Sequence, residues 1–84
     1  MVKLLVDVFM PGNGKTYEFQ LDGSMAVKQA VIQIISNIHE AENDAVAIDI
    51  ETAILSDINI SKRLNTGKTL HAQGVKSGHR LILV

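Results

Sequence analysis

The sequence predicts an α+β fold in which a mixed β-sheet packs on one long helix, with elements in the order ββαββ. Two alternating apolar runs, over 2–10 and 15–21, flank a turn cluster at Pro11-Gly12-Asn13-Gly14. A broad apolar stripe at Val27, Ala30, Val31, Ile34, Ile35, Ile38 and Ala41 has the period of a helix. Short apolar runs at 53–58 and 80–84, separated by turn residues, complete the pattern. A chain of 84 residues suits one domain, residues 1–84, and leaves little room for a second.

In the first strand Val2, Leu4, Val6 and Val8 share one face, and Lys3, Leu5, Asp7 and Phe9 share the other. The first set is expected to face the core. The turn cluster supplies a proline with pre-set φ and glycines for positive φ, so the chain reverses there. In the second strand Tyr17, Phe19 and Leu21 alternate with Thr16, Glu18 and Gln20, which makes the first two strands a hairpin. Asp22-Gly23-Ser24 breaks that strand, and either Asp22 or Ser24 offers a side-chain cap for a helix beginning near Met25 and running to about Glu42. The three isoleucines of the stripe oppose the local helix propensity by a few tenths of a kcal/mol each, which packing on a sheet outweighs.

The third main strand is placed at 53–58, a turn at Asn59 to Ser61 and a short strand at 62–64. The stretch 45–51 reads as an extra strand or a packed loop. Asn65 to Lys68 form a turn, Thr69 to Val75 a short helical or looped connection, Ser77-Gly78 a second turn, and Arg80 to Val84 the last strand. This order is that of a β-grasp, in which the first and last strands pair in parallel at the centre of the sheet. Their near-continuous apolar runs suit central strands.

So short a chain buries only about 60 to 65% of its unfolded surface, which demands strong hydrophobes. Ile, Val and Leu dominate, Trp is absent, and the aromatic residues are Phe9, Tyr17 and Phe19. A formal charge of −1 is too balanced for backbone-driven nucleic-acid binding. No cysteine is present, so disulfides, thiolate nucleophiles and cysteine-based metal sites are excluded, a plant-type ferredoxin among them. Asp7 interrupts the opening apolar run before it makes a signal-peptide core, and no stretch approaches the roughly 20 apolar residues of a membrane span. The expectation is a cytoplasmic protein without direct membrane insertion.

Gly12-Asn13-Gly14-Lys15-Thr16 ends like a phosphate-binding loop, but Phe9 stands where that motif needs a glycine, and a strand follows where it needs a helix. His39, His71 and His79 lie on separate elements with no ligand spacing, so no metal site is expected. The five serines lack the setting of a nucleophile elbow, and a domain this small is expected to have little room for a pocket of several hundred Å³. No catalytic residue and no cofactor is expected.

The spacing of Leu64, Gly67, Thr69, Leu70, Val75, Leu81 and Leu83 resembles the last third of ubiquitin. Val84 stands where a conjugated carrier would continue into a flexible Gly-Gly tail, so attachment to substrates is not expected. Ala53 to Asp57, Arg63-Leu64-Asn65 and Lys68 to Val84 together resemble more specifically the YukD/EsaB family, ubiquitin-like accessory proteins of bacterial type VII (WXG100, Esx-like) secretion systems. The likeness extends over nearly the whole chain. His79 departs from it, since that family usually carries an acidic residue after the glycine, and the 45–52 insert is another departure. The resemblance implies a cytoplasmic, unconjugated protein, peripheral to a membrane export complex, whose partner is a membrane or ATPase component of it. The alternatives are a ubiquitin-like modifier or sulfur carrier and an unrelated β-grasp scaffold.

If Leu81 and Leu83 point inward, alternation places Ile82 and Val84 on the opposite face, where Met10 and Leu55 are expected to join them in an apolar partner-binding patch. Leaving a side chain like Ile82 in water forgoes about 1.5 to 3 kcal/mol. A protein partner, the 45–51 segment, or a second copy of the chain in a homodimer would each account for such a patch.

Overall fold

The computed structural model describes residues 3–41 and 49–84. Its elements are strands β1 (Lys3–Met10) and β2 (Lys15–Asp22), helix α1 (Val27–Ala41), strands β3 (Leu55–Asp57) and β4 (Lys62–Arg63), a 3₁₀ turn at His71–Gln73, and strand β5 (Arg80–Leu83). They form one five-stranded sheet in the order β2-β1-β5-β3-β4. β1 runs antiparallel to β2 and parallel to β5, while β3 runs antiparallel to both β4 and β5. This is the expected β-grasp.

The hairpin closes where its turn residues demand it. Met10 O accepts from Asn13 N at 3.2 Å and from Gly14 N at 2.9 Å, and Gly14 takes the positive φ of 70° that this reversal requires. β1 then places Leu4, Val6, Val8 and Met10 in the core, opposite Phe19 and Leu21 of β2. Against this layer α1 buries Val27, Ala30, Val31, Ile34, Ile35 and Ile38, all on the expected stripe. Leu55, Leu64, Leu70, Val75, Leu81 and Leu83 fill the rest.

The helix starts two residues later than expected, and its first two amides bond to a distant loop instead of to Asp22 or Ser24. Asp22 Oδ1 accepts from Ser24 N and Ser24 Oγ, closing a local turn. The first helical amides are satisfied across space: Val27 N donates to Lys68 O at 2.9 Å and Lys28 N to Thr66 O at 3.2 Å. Leu70 N and His71 N return bonds to Met25 O and Gly23 O. A distant loop therefore does the work of a side-chain cap. That loop is held by Gln73, whose buried amide donates to Asn65 O at 3.0 Å and accepts from Asn65 N at 2.7 Å.

Of the 45–51 segment, 45–48 lie outside the described residues, as do the expected strand start at Val2 and helix end at Glu42. Asp49 to Thr52 form a turn rather than a strand, with Thr52 N donating to Asp49 O and Glu51 N to Asp49 Oδ1. β3 is shorter than the expected 53–58. Ladder bonds nevertheless continue on both sides of it, between Ile54 and Val84 and from Ile58 N to Arg80 O.

Candidate functional site

The register of the central strands decides which side chains leave the core. Phe9 of β1 lies beside Ile82 of β5, and Ile82 lies beside Ser56 of β3. These positions share the face turned away from α1, because their neighbours Val8, Leu81, Leu55 and Leu83 are buried on the other. Ile54 and Val84 extend this row. Each donates its amide hydrogen to the other's carbonyl, at 2.8 and 3.0 Å, and Val84 is 53% exposed. Phe9, Ile54, Ile82 and Val84 thus form an apolar cluster on the outer face of the sheet.

Charge borders it. Asp7 lies between Glu18 of β2 and Arg80 of β5, in a row that separates the cluster from exposed Leu5. On the β4 side, Arg63 flanks Ser56.

Two of the four expected patch residues, Ile82 and Val84, are on this face. The other two are not. Met10 and Leu55 are each 1% exposed and belong to the core. Met10 keeps the inward phase of Leu4, Val6 and Val8 to the end of β1, since the reversal begins only at Pro11. Leu55 pairs with Leu83, and directly opposed residues share a face, so the inward phase of β5 carries Leu55 with it. Phe9 and Ile54 take their places. Sequence reasoning missed both, although Phe9 had the outward phase of Leu5 and Asp7.

Beneath the charged row is a polar pair, a buried Asp57 and a part-exposed His79, that sequence spacing did not show. Asp57 has the inward phase of Leu55 and is 0% exposed, the one charged residue in the core of the described chain. Its Oδ2 lies 2.7 Å from His79 Nδ1, and its Oδ1 accepts from Asn59 N at 2.9 Å. A proton on Nδ1 makes the first contact a hydrogen bond, and it becomes an ion pair when the imidazole is fully protonated. Asn59 Oδ1 in turn accepts from Arg80 N at 2.7 Å, and Asp7 N donates to His79 O at 3.2 Å. With both carboxylate oxygens engaged, the inward Asp57 is a satisfied group. Its effect is to fasten the turn after β3 to the start of β5, under Asp7 and Arg80.

Asp57 is sealed from solvent, and its carboxylate engages Nδ1 of His79. Among the described residues, no three His, Cys, Asp or Glu side chains come together as a cation would require. No described helix is long and apolar enough to cross a membrane. The expectation of little room for a pocket is not met, because surface grooves are present, one of about 470 Å³ lined by Ala53, Ile54, Arg63, Leu64, Asn65 and Thr66.

No protein-family profile matches the chain, and no curated protein does either. Solved structures do. The ubiquitin-like domain of an Arabidopsis thaliana protein superposes with a TM-score of 0.74 at 19% identity, over 100% of this chain and 78% of that one. The ubiquitin-like domain of Plasmodium falciparum Dsk2 gives a TM-score of 0.74 at 19% identity, over 99% and 97% of the two chains. Ubiquitin of Caldiarchaeum subterraneum gives 0.72 at 16% identity, over 98% and 91%. At such identities the likeness establishes the architecture: the chain has the ubiquitin-like β-grasp fold.

Proposed function

We propose that this protein is a non-enzymatic, ubiquitin-like accessory or regulatory component of a bacterial type VII secretion system, which works by docking and not by conjugation. Its partner is a cytoplasmic segment of a membrane or ATPase component of that machine. The observation that carries the reading is the apolar cluster of Phe9, Ile54, Ile82 and Val84, presented on the outer face of the sheet and bordered by charge. An apolar centre with a polar rim is the anatomy of a protein contact surface. The secretion assignment is supported by the resemblance of residues 53–84 to the YukD/EsaB family.

Ile82→Asp tests the docking surface, since it places a charge at the centre of the cluster and leaves the core layer untouched. Co-purification with the membrane and ATPase components should be lost while circular dichroism is unchanged. A retained complex would remove the outer face from the account. Genes for an FtsK-type ATPase and small Trp-x-Gly proteins beside this one support the secretion assignment, and their absence counts against it. Covalent conjugates of the protein in its own cells would favour a modifier instead.

A further inference from the structure

The sheet has two edges, and they are finished differently. β4 is two residues long, both basic and exposed, which blunts that edge against pairing. β2 is an eight-residue edge strand with an unbroken register and no proline. The bonds of β1 show which of its groups face outward. Asp7 N donates to His79 O and Leu5 O accepts from Gly78 N, so the odd-numbered residues of β1 turn their backbone toward β5. Leu4, Val6, Val8 and Met10 therefore bond toward β2, through their partners Leu21, Phe19, Tyr17 and Lys15. The backbone N–H and C=O groups of Thr16, Glu18 and Gln20 are left pointing to the open edge. Beside them runs a groove of about 390 Å³ lined by Tyr17, Phe19, Asn37 and Ile38 among others.

We infer that β2 pairs antiparallel with β2 of a second copy of this chain, about a two-fold axis at Phe19, joining two sheets into one. The strand is self-complementary in that register. Directly opposed residues must share a face, which allows only registers centred on a residue. Centring on Glu18 sets that carboxylate against its own copy, a like-charge pair. Centring on Phe19 sets Glu18 against Gln20 twice by symmetry, and each Gln20 amide can donate to a Glu18 carboxylate. On the other face half-buried Tyr17 lies opposite Leu21 and Phe19 opposite its copy, with Leu21 and Phe19 already packed in their own cores, and the two grooves come together beside them. The axis is perpendicular to the sheet, so both outer faces lie on the same side and stay open. A dimer of this kind presents two docking faces side by side and gains avidity for a repeated partner. The pairing uses none of the residues on which the proposed function rests.

Sedimentation from roughly 10 µM to about 1 mM tests the inference, together with amide exchange at Glu18 and Gln20. The dimer fraction should rise with concentration while exchange at those two amides slows. Gln20→Glu places like charges opposite Glu18 twice and should weaken association on the order of tenfold. Adding Glu18→Lys to it should restore association. A protein that is monomeric throughout overturns the inference, including one whose β2 edge pairs only with an added peptide. So does a dimer in which Glu18 and Gln20 still exchange freely. Failure of the double variant to recover overturns the Phe19-centred register.

Discussion

The two faces of the sheet are built from the same strands, and they differ in almost every physical respect. Toward α1, Leu4, Val6, Val8, Met10, Leu55, Leu81 and Leu83 are all at or below 5% exposure. Away from it, the alternate positions of those strands carry Leu5 and Val84 at more than half exposure, with Phe9, Ile54 and Ile82 between. The inner face is filled by protein and sets stability. The outer face keeps apolar surface in water, as the proposed docking role requires. Under the proposed function, alternation along a strand lets one short segment serve folding and recognition independently.

Substitutions on the two faces should separate these roles. Leu83→Ala, in the centre of the inner layer, should cost the most, about 3 kcal/mol, because a cavity replaces a fully buried side chain. Chemical denaturation measures it, and a cost below about 1 kcal/mol would show that the inner layer is loosely packed. Asp57→Ala should follow at about 2 kcal/mol, since it strips His79 Nδ1 and Asn59 N of their shared acceptor. His79→Ala should cost little more when Asp57 has already been removed, and additive losses in that double-mutant cycle would contradict a functional pair.

Gly78→Ala comes next. Gly78 has φ of 88° and open space around it, so the loss of about 1 to 2 kcal/mol is purely conformational. A neutral result would place the turn before β5 in a different conformation. Smallest in stability is Leu5→Ser on the outer face, expected within about 0.5 kcal/mol of the parent by thermal melting. A large loss there would mean that Leu5 is covered, and would weaken the contrast between the faces.

Much of the architecture was legible in the sequence, because hairpin, helix and last strand each carry their own periodic signal. The phase of β3 was not. In Ile54-Leu55-Ser56-Asp57-Ile58 the more apolar phase is Ile54 and Ile58, yet the phase that faces inward is Leu55 and Asp57. Pairing with β5 fixes that phase, and a buried carboxylate becomes tolerable because His79, 22 residues away in sequence, meets it. Local pattern contains neither fact. The helix start was missed for a similar reason, since its amides bond to carbonyls of Thr66 and Lys68 and not to a neighbouring side chain. In the candidate site, Ile82 and Val84 followed from alternation in β5 alone. Met10 and Leu55 lie in the core because the inward phase of β1 runs to its last residue and pairing with Leu83 sets the phase of β3.

Site-directed photo-crosslinking in the native cell tests the central claim most directly, with a photoreactive side chain placed at Ile82 or Val84 on the outer face and, separately, at Ser36 or Asn37 on the exposed side of α1. Capture of a component of the export machine from positions 82 and 84, and not from 36 and 37, is the predicted result. Capture from the helix positions alone would contradict it.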